Sequence, residues 1–596
     1  MEEQHEYKAR KRKESEALKF EPRPMVGWYD ARQLLGTAVK TVVSSVFGAY
    51  SDKREIQAAL SECNDYDYSD KEEIWIDYMS DTGDGFHSTF TMANLLSAEQ
   101  LTVDGIETFK GDILVLGGDQ VYPVATREDY ENRLRGPFDA ACRNQTCPPA
   151  SGNGKEEKEH HLYAVPGNHD WYDGLSNFIK IFCQGRTIGN WLSRQCRSYF
   201  AIKLPHNWWL WGIDIQLSAD IDYPQLQYFD SIAKKMKKGD KVILCTAEPS
   251  WTFTTRKKDK SYENLKFFEQ RYIIDKEMEL AVTIAGDLHH YARYELISHG
   301  QASHKITSGG GGAFMHPTHN LKDELNLREG NYFLQKTFPE KDRSRKLAFW
   351  NLAFPLFNPQ FAFFMGAFYV LFAWELQEAT KSGLTFFQKI SLYEPQLDNL
   401  KQFTTDILNI LLMNPLLVFV IAAVIFGVTK FTDTNASKKN YLWLLGTLHG
   451  LVHILVGFGL FWLLSYWLGP IGAMDINHLG TISLLTVLIF VSGGLLGCLV
   501  MGLYLLITNL LFRIHDNEAF SAIKWRGYKN FLRMHISREA LSIYPIGLKK
   551  TARWKKEGKH YVPDRLLTTK LVDKVITIKA NKHEKESPGL PVITDR

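Results

Sequence analysis

The stretch LYAVPGNHDWYDG (162–174) joins an apolar, β-like run to a cluster of Asn, His and Asp side chains. Four other segments repeat this arrangement: MSDTGDG (79–85), GGDQVYP (117–123), CTAEPSW (245–251) and GDLHHY (286–291). Ligands of open α/β sheets bind in the crevice beyond the carboxyl ends of the strands. Because acid, amide and imidazole groups are delivered repeatedly to that edge, the sequence predicts a site for divalent cations there.

The first half of the chain alternates β-like runs with helix-like stretches. The runs are Ile74–Met79, Ile113–Leu116, Leu162–Val165, Trp208–Ile213, Val242–Leu244, Leu280–Ala285 and Lys305–Thr307. Helix-like stretches such as Ser88–Glu99 and Tyr223–Met236 lie between them. This alternation predicts an α/β sandwich. We place that domain at residues 51–340, after a charged N-terminal segment at residues 1–50.

Composition narrows the classes of function. A chain of 596 residues is too long for one core, so we expect two or more domains. The formal net charge of +3 is near neutral and argues against a nucleic-acid-binding protein. The seven cysteines lack paired spacing, which favours a reducing compartment. The N-terminal segment lacks the apolar region of a signal peptide, so we expect the first domain in the cytosol.

Four long apolar spans predict a membrane domain at residues 341–513. The spans are 347–374, 407–429, 441–474 and 479–512, and they contain no Asp, Glu, Lys or Arg. Basic residues lie before the first span, between the second and third, and after the fourth. The positive-inside rule therefore places both termini and the first domain in the cytosol. We expect an integral protein of the plasma or inner membrane.

The remaining segment, 514–596, is basic and is predicted to be a cytosolic tail. Its stretches KWRGYKNFLR (524–533) and LKKTARWKKEGK (548–559) either contact anionic lipid headgroups or form an ordinary solvated surface. In the third span, His449 and His453 share one helix face, which raises a transporter or channel as a further hypothesis. The absence of charged residues from the spans counts against transport, because ion pathways usually contain them.

Taken in order, the five segments resemble the calcineurin-like metallophosphoesterase superfamily over roughly residues 72–319. The GDxxY of Gly118–Tyr122 and the GNHD of Gly167–Asp170 are the most specific features. The GDLHHY segment and GGGGAFMHPTH (309–319) resemble a subset with appended transmembrane helices. The resemblance implies a calcineurin-like sandwich of two β-sheets flanked by helices, followed by an α-helical membrane domain of about four spans.

The resemblance also implies roles for individual residues. The implied metal ligands are Asp81, Asp119, Asn168, Asp287 and His289, with Asp119 between two ions. His169 would be the catalytic proton donor or charge stabiliser, oriented by Asp170. Two divalent ions, drawn from Mn, Fe, Zn and Mg, would clamp the phosphate and share the hydroxide that attacks it.

Three positions depart from the family pattern. Gly83 and Ala247 stand where the first and fourth motifs have histidines, and Asp287 replaces the first histidine of Gly-His-x-His. Nearby side chains can compensate as ligands or as substrate contacts: Asp84, His87, Glu248, His290, His316 and His319. Acidic replacements would favour harder ions such as Mn or Mg.

Two functions of different classes follow from these observations. The first is a membrane-anchored, metal-dependent phosphohydrolase that acts on a phosphate ester or pyrophosphate, small or lipid-linked, at the cytosolic face. The second is a catalytically degenerate membrane sensor that uses the same domain to bind a nucleotide or lipid headgroup. Both make membrane lipids and a phosphorylated ligand the expected partners, and neither involves nucleic acid.

Overall fold

Two large β-sheets dominate the part of the chain that the computed structural model describes, which is residues 20–30, 33, 36, 66–145, 159–215, 221–253, 261–298, 301–377, 384–432 and 441–580. Most of the predicted charged segment 1–50 lies outside these residues. The strands are β1 (Tyr66–Asp67), β2 (Ile74–Met79), β3 (Gln100–Val103), β4 (Ile106–Phe109), β5 (Ile113–Leu116), β6 (His160–Ala164), β7 (Thr187–Ile188), β8 (Trp191–Ser193), β9 (Phe200–Lys203), β10 (Trp208–Gly212), β11 (Lys241–Cys245), β12 (Glu279–Ala285), β13 (Tyr291–Ser298), β14 (Gln301–Ser308), β15 (Glu324–Leu327), β16 (Gly330–Phe338), β17 (Lys529–Ile536), β18 (Ala540–Leu548), β19 (Trp554–Glu557), β20 (His560–Pro563), β21 (Lys570–Leu571) and β22 (Ile576–Lys579).

Helices flank the sheets and then form a separate bundle. They are α1 (Phe86–Ser97), α2 (Arg127–Asp129), α3 (Gly136–Asn144), α4 (Asn168–Trp171), α5 (Ser176–Phe182), α6 (Tyr223–Ala233), α7 (Ser261–Tyr272), α8 (Lys341–Ala348), α9 (Phe354–Phe357), α10 (Pro359–Gln377), α11 (Phe386–Ser391), α12 (Leu397–Met413), α13 (Pro415–Phe431), α14 (Tyr441–Tyr466), α15 (Leu479–Ile507) and α16 (Asp516–Ile523). Short π-helical turns follow α2, α14 and α15, at Tyr130–Arg135, Trp467–Ile471 and Thr508–Phe512.

The strand order places the predicted site segments at neighbouring strand ends. One sheet runs β1-β9-β10-β11-β12-β14-β13-β16-β15, and the other runs β21-β18-β17-β2-β5-β6-β8-β7 with β22 beside β18. Strands β2, β5 and β6 are parallel neighbours in one sheet, as are β11 and β12 in the other. Fully buried residues of both sheets, such as Ile113 and Ile243, belong to one core. The predicted two-sheet α/β sandwich is therefore confirmed.

The C-terminal segment is part of the sandwich, so the prediction of a separate tail at 514–596 is wrong for the described residues up to 580. Strand β17 pairs antiparallel with β2, and β18 pairs with β17. Arg533 on β17 donates to both oxygens of Asp77 on β2, at 2.7 and 3.1 Å, and both side chains are fully buried. Apolar residues at alternate positions of these strands enter the core, which basic composition alone did not reveal.

The helical region contains three helices long and apolar enough to cross a membrane, among the described residues: Pro359–Gln377, Tyr441–Ile471 and Leu479–Phe512. A fourth candidate is the pair α12 and α13, which is bent by 103° at Asn414. The predicted span 407–429 is therefore broken, because Pro415 lacks the N–H that a continuous helix needs. The first span begins at Pro359 rather than at residue 347, since a 3₁₀-helix at Phe349–Ala353 and the short helix α9 precede it.

Cysteine pairing differs from the sequence-based expectation. Cys196 is disulfide-bonded, whereas Cys142, Cys183, Cys245 and Cys498 are free thiols. The irregular spacing predicts a reducing compartment rather than a disulfide framework, and the disulfide at Cys196 departs from that prediction.

Replacing Arg533 by Ala is expected to lower the free energy of unfolding by about 3–5 kcal/mol, because it leaves the Asp77 carboxylate buried without its cation. The matched control is Lys203→Ala, which removes an exposed partner of Asp67 and is expected to cost at most about 1 kcal/mol. Denaturant unfolding of the detergent-solubilised protein measures both. Equal effects for the two variants would contradict the role assigned to the buried pair.

Candidate functional site

Three strand ends of one sheet and one of the other deliver carboxylate and amide side chains to a common point. Asp81 follows β2, Asp119 follows β5 and Asn168 follows β6, while Asp287 follows β12. Asp81, Asp119 and Asp287 have φ of 61°, 47° and 63°. This left-handed conformation is one that Asp tolerates better than most residues, and it turns each chain sharply out of its strand. The loops that follow these four strands therefore converge, as the sequence predicts.

Tyr122 lies at the centre of this convergence. Its hydroxyl oxygen is 2.9 Å from Asp81 Oδ1, 3.1 Å from Asp119 Oδ2 and 2.9 Å from His289 Nε2. The imidazole of His289 is fixed from its other side, where Nδ1 lies 2.7 Å from the Phe314 carbonyl oxygen. Tyr122 is not among the site residues predicted from the sequence, although it is the tyrosine of the GDxxY pattern.

The four atoms lie close together, and the three distances to the phenol oxygen are those of hydrogen bonds. Ligand atoms at about 2.1 Å from one metal ion lie roughly 3.0–3.4 Å apart. The phenol oxygen is 2.9–3.1 Å from its three neighbours, and Asp81 Oδ1 is 3.5 Å from His289 Nε2. In the described ranges, no three His, Cys, Asp or Glu side chains alone form such a group. With the phenol of Tyr122 included, the groups that could hold a cation here are three oxygens and one nitrogen.

The electrostatics of the site also favour a positive charge. Burial raises the pKa of Asp81 well above its usual range, and the carboxylates of Asp119 and Asp287 raise it further. Burial lowers the pKa of His289, which keeps its imidazole neutral. Neutral imidazole and ionised carboxylate are the forms that bind metals. A cation would relieve the repulsion among the buried carboxylates.

Glycines let the backbone approach the carboxylates closely. A Cβ atom at Gly167 would lie 2.1 Å from Asp119 Oδ1, and one at Gly309 would lie 2.6 Å from Asp81 Oδ2. Gly83 is equally constrained, because a Cβ there would lie 2.3 Å from the Gln120 carbonyl oxygen. Ala247 packs against Gly118, whose added Cβ would be 3.0 Å away. At position 83, where the resemblance implies a histidine, a side chain would thus clash with the backbone of Gln120.

Asn168 and His169 lie beside Asp119. The backbone N–H of His169 donates to Asp119 Oδ1 at 2.9 Å. The Asn168 amide has one terminal atom 3.0 and 3.2 Å from the two Asp119 oxygens. That atom is either a nitrogen that donates to Asp119 or an oxygen that shares a cation with it. The second arrangement alone would make Asn168 a metal ligand, and that role stays a prediction.

Asp170 does not orient the His169 ring, contrary to the implied role. The Nδ1 of His169 lies 2.8 Å from the Pro123 carbonyl oxygen. The Asp170 carboxylate instead accepts from the Tyr130 hydroxyl at 2.6 Å and from the Gly167 N–H at 2.9 Å. Burial and the Asp119 charge raise the pKa of Asp170 to about 8. Asp170 therefore fixes the loop that carries His169 rather than its ring, because its side chain points back under that loop.

The proposed substitute residues separate into two groups. The first group consists of residues that have other hydrogen-bond partners. Asp84 accepts from the N–H groups of Val26 and Phe314, and His87 accepts from the N–H of Trp554. His316 contacts Asn517, and His319 contacts Ser344 and Asn509. Of these, His316 still reaches the site, since its ring stacks on His289 with a centroid distance of 4.0 Å.

The second group lies in the site loops. His290 is buried beside His289, and burial lowers its pKa to about 4. Glu248 is half-buried in the loop after β11. The backbone N–H of Asp287 donates to Asp81 Oδ2 at 3.0 Å, which brings the Asp287 loop against the first ligand. These three roles stay predictions.

Residues 20–30 cover one side of the site, a feature that sequence reasoning missed. The Trp28 ring lies 5.8 Å from the ring of His169 and 6.5 Å from that of Tyr122. Val26 is anchored by its N–H, which donates to Asp84 Oδ1 at 2.7 Å, and it packs with Tyr122. The site is therefore walled by an aromatic side chain from far upstream in the sequence.

Comparison with known proteins agrees with this fold. Residues 74–291 match the family described as calcineurin-like phosphoesterase, so the chain contains such a domain over that range. No curated protein matches the chain at a significant level.

Three solved structures are similar at low identity. GAP50, the anchor in the inner membrane complex of Plasmodium, has 13% identity and a TM-score of 0.28 over 41% of this chain and 74% of that one. PhoD has 12% identity and a TM-score of 0.28 over 41% and 58%. The purple acid phosphatase PPD1 from yellow lupin (Lupinus luteus) seeds has 11% identity and a TM-score of 0.27 over 45% and 49%. The chain spans about half to three quarters of these proteins, and likenesses this low carry no argument about function.

Tyr122→Phe is expected to weaken metal binding at least about 10-fold, because it removes the oxygen that meets Asp81, Asp119 and His289. The control is Tyr68→Phe, which removes a buried hydroxyl that contacts His161 and Tyr163 away from the site. Elemental analysis after dialysis against stepped chelator concentrations gives the comparison. Identical metal retention by the two variants would rule out Tyr122 as a ligand.

Proposed function

We propose that the chain is a membrane-anchored, metal-dependent phosphohydrolase that acts on a phosphate ester or pyrophosphate. One observation carries the proposal: Asp81, Asp119 and His289 converge on the hydroxyl of Tyr122 within a calcineurin-like phosphoesterase domain. Carboxylate, phenol and imidazole groups of this kind serve hydrolysis when they hold divalent ions.

The residues present could bind one ion, and Asp119 could share in binding a second. Asp81, Tyr122 and His289 would hold the first ion, and Asn168 would hold the second, with Asp119 between them. The oxygen-rich set favours Mn, Mg or Fe over softer ions, with Zn also compatible. Bound there, divalent ions polarise a phosphoryl oxygen and lower the pKa of water.

We infer that His169 handles the leaving group. Its Nδ1–H donates to the Pro123 carbonyl oxygen at 2.8 Å, which fixes the ring. In the imidazolium form Nε2 also carries a proton, which it would donate to the leaving oxygen. The backbone N–H of the same residue donates to Asp119. One residue thus joins the ligand set to the reacting end of the substrate. Trp28 would contact the organic part of that substrate.

The candidate membrane helices support a lipid-linked substrate and membrane anchoring. Helices α10, α14 and α15 are long and apolar enough to span a bilayer, and the sandwich is continuous with them at both ends. Basic residues of α8 precede the first candidate span, and Arg513 follows the last. By the positive-inside rule these charges favour a cytosolic phosphoesterase domain.

The alternative is a catalytically degenerate membrane sensor. Ala247, where the family has a metal-binding histidine, is the observation that favours it. A sensor of this kind would bind a nucleotide or lipid headgroup without turnover. Elemental analysis separates the two functions, because two ions per chain support hydrolysis and none supports the sensor.

Purified protein with added Mn²⁺ is expected to release phosphate from an aryl phosphate. Asp119→Asn is expected to lower kcat/KM about 100-fold or more, because it weakens the ligand shared by the two ions. Asp67→Asn, which alters an exposed carboxylate, serves as the control and should retain full activity. Metal-stimulated hydrolysis that is equal in Asp119→Asn and the wild type would refute the proposed function.

Sidedness is tested by limited trypsin digestion of sealed membrane vesicles of known orientation. Lys556 and Lys559, exposed in and beside the β19–β20 hairpin, are expected to be cleaved in inside-out vesicles and protected in right-side-out vesicles. The opposite pattern would place the domain outside the cytosol, where the disulfide of Cys196 is an ordinary feature.

A further inference from the structure

A second concave site lies apart from the carboxylate cluster. It is a cavity of about 450 Å³ between α1, the β19–β20 hairpin and residues 20–25. Phe86, Trp554 and Tyr561 form apolar walls, and Arg526, Lys556 and His87 bring positive or protonatable groups. Within the described part of the chain, its lining contains no Asp or Glu. Asp81, Asp119 and His289 are not among the lining residues.

Three cations line this cavity, and two of them, Arg526 and Lys556, have no hydrogen-bonded counter-charge among the described residues, whereas the third, Arg23, pairs with Glu128. Arg526 and Lys556 make no side-chain hydrogen bond or ion pair with any residue that the structure describes. Burial and the neighbouring Arg553 guanidinium lower the pKa of Arg526. Burial, Arg526 and Arg553 lower the pKa of His87. Positive charges crowded in this way are stabilised by a bound anion.

Residues beside the cavity contact the segment that precedes the first candidate span. Lys524 donates to the Phe357 carbonyl oxygen at 3.3 Å, and the ring of Trp525 lies 6.4 Å from that of Trp350. Trp350 is 48% exposed and Leu356 is 82% exposed, so apolar side chains are open beside this junction. Tryptophans of this kind favour the membrane–water interface. Arg526, which follows Trp525, is thus held at the level expected for lipid headgroups.

We propose that this cavity binds the phosphorylated headgroup of an anionic phospholipid. Arg526 and Lys556 would contact the phosphate, and Trp554 and Tyr561 would contact the glycerol portion. The exposed apolar residues near Trp350 give the acyl chains a surface to follow. A free phosphate ion has the negative charge of the headgroup but not its glycerol portion, so it would contact the basic residues of the cavity and not the aromatic ones.

Isothermal titration of the full-length protein in detergent tests the proposal. The probes are dihexanoyl phosphatidic acid, dihexanoyl phosphatidylcholine and inorganic phosphate. Phosphatidic acid is expected to bind at least about 10-fold more tightly than either of the others, because it alone supplies both the net charge and the apolar portion. The double variant R526Q/K556Q is expected to weaken its binding at least about 10-fold.

The control is K555Q/K559Q, which removes two exposed cations of the same segment that do not line the cavity and is expected to change binding less than 2-fold. Arg526→Lys keeps the charge and is expected to retain binding, which separates charge loss from misfolding. Equal loss in the two double variants, or no binding of phosphatidic acid by the wild type, would overturn the site. Equal binding of inorganic phosphate would overturn the lipid assignment. None of these readouts depends on phosphatase activity.

Discussion

The burial of two carboxylates at neighbouring strand ends is the constraint around which the site is organised. Asp81 is fully buried and Asp119 is 3% exposed. Buried ionised carboxylates are costly unless they are hydrogen-bonded or neutralised. The Tyr122 hydroxyl oxygen lies within hydrogen-bond distance of both and has one proton to donate. The backbone N–H of Asp287 donates to Asp81, and that of His169 donates to Asp119. These groups orient the oxygens, while burial and the neighbouring carboxylates raise the pKa of Asp81.

The helical bundle is joined to this site by side chains rather than by a flexible linker. Helix α16 follows the last candidate span, and its Asn517 contacts His316, which stacks on His289. Asp516 of the same helix accepts from Asn320. On the other side, the Tyr29 hydroxyl donates to the Glu518 carbonyl oxygen. The histidines His316 and His319, predicted as substitute ligands, thus have a clear structural role at the junction between sandwich and bundle.

The sequence predicted those features that depend on local pattern. The strand ends followed by Asp81, Asp119 and Asn168 were recognisable because each motif is continuous in the sequence. The apolar spans were recognisable because composition and length suffice to identify them. The helix breaks lie at Asn–Pro pairs such as Asn414–Pro415, and the composition of the spans does not give their positions.

Features created by long-range contacts were missed for a physical reason. Tyr122 and His289 are 167 residues apart, and their contact depends on two separate sheets. Trp28 reaches His169 from a segment without any motif. Similarly, the sequence of β17 looks like a basic surface segment, and only its pairing with β2 shows that it is a core strand. Local sequence sets the shape of each element, whereas its neighbours are chosen by tertiary packing.

The pairing of β2 with β17 has a consequence for biosynthesis. Asp77 and Arg533 are 456 residues apart, and ribosomes add about 5–20 residues each second, so Arg533 emerges roughly 20–90 s after Asp77. During this interval the nascent chain has an unpaired strand edge at β2, a surface prone to aggregation. The sandwich can close only after the apolar helices have been synthesised.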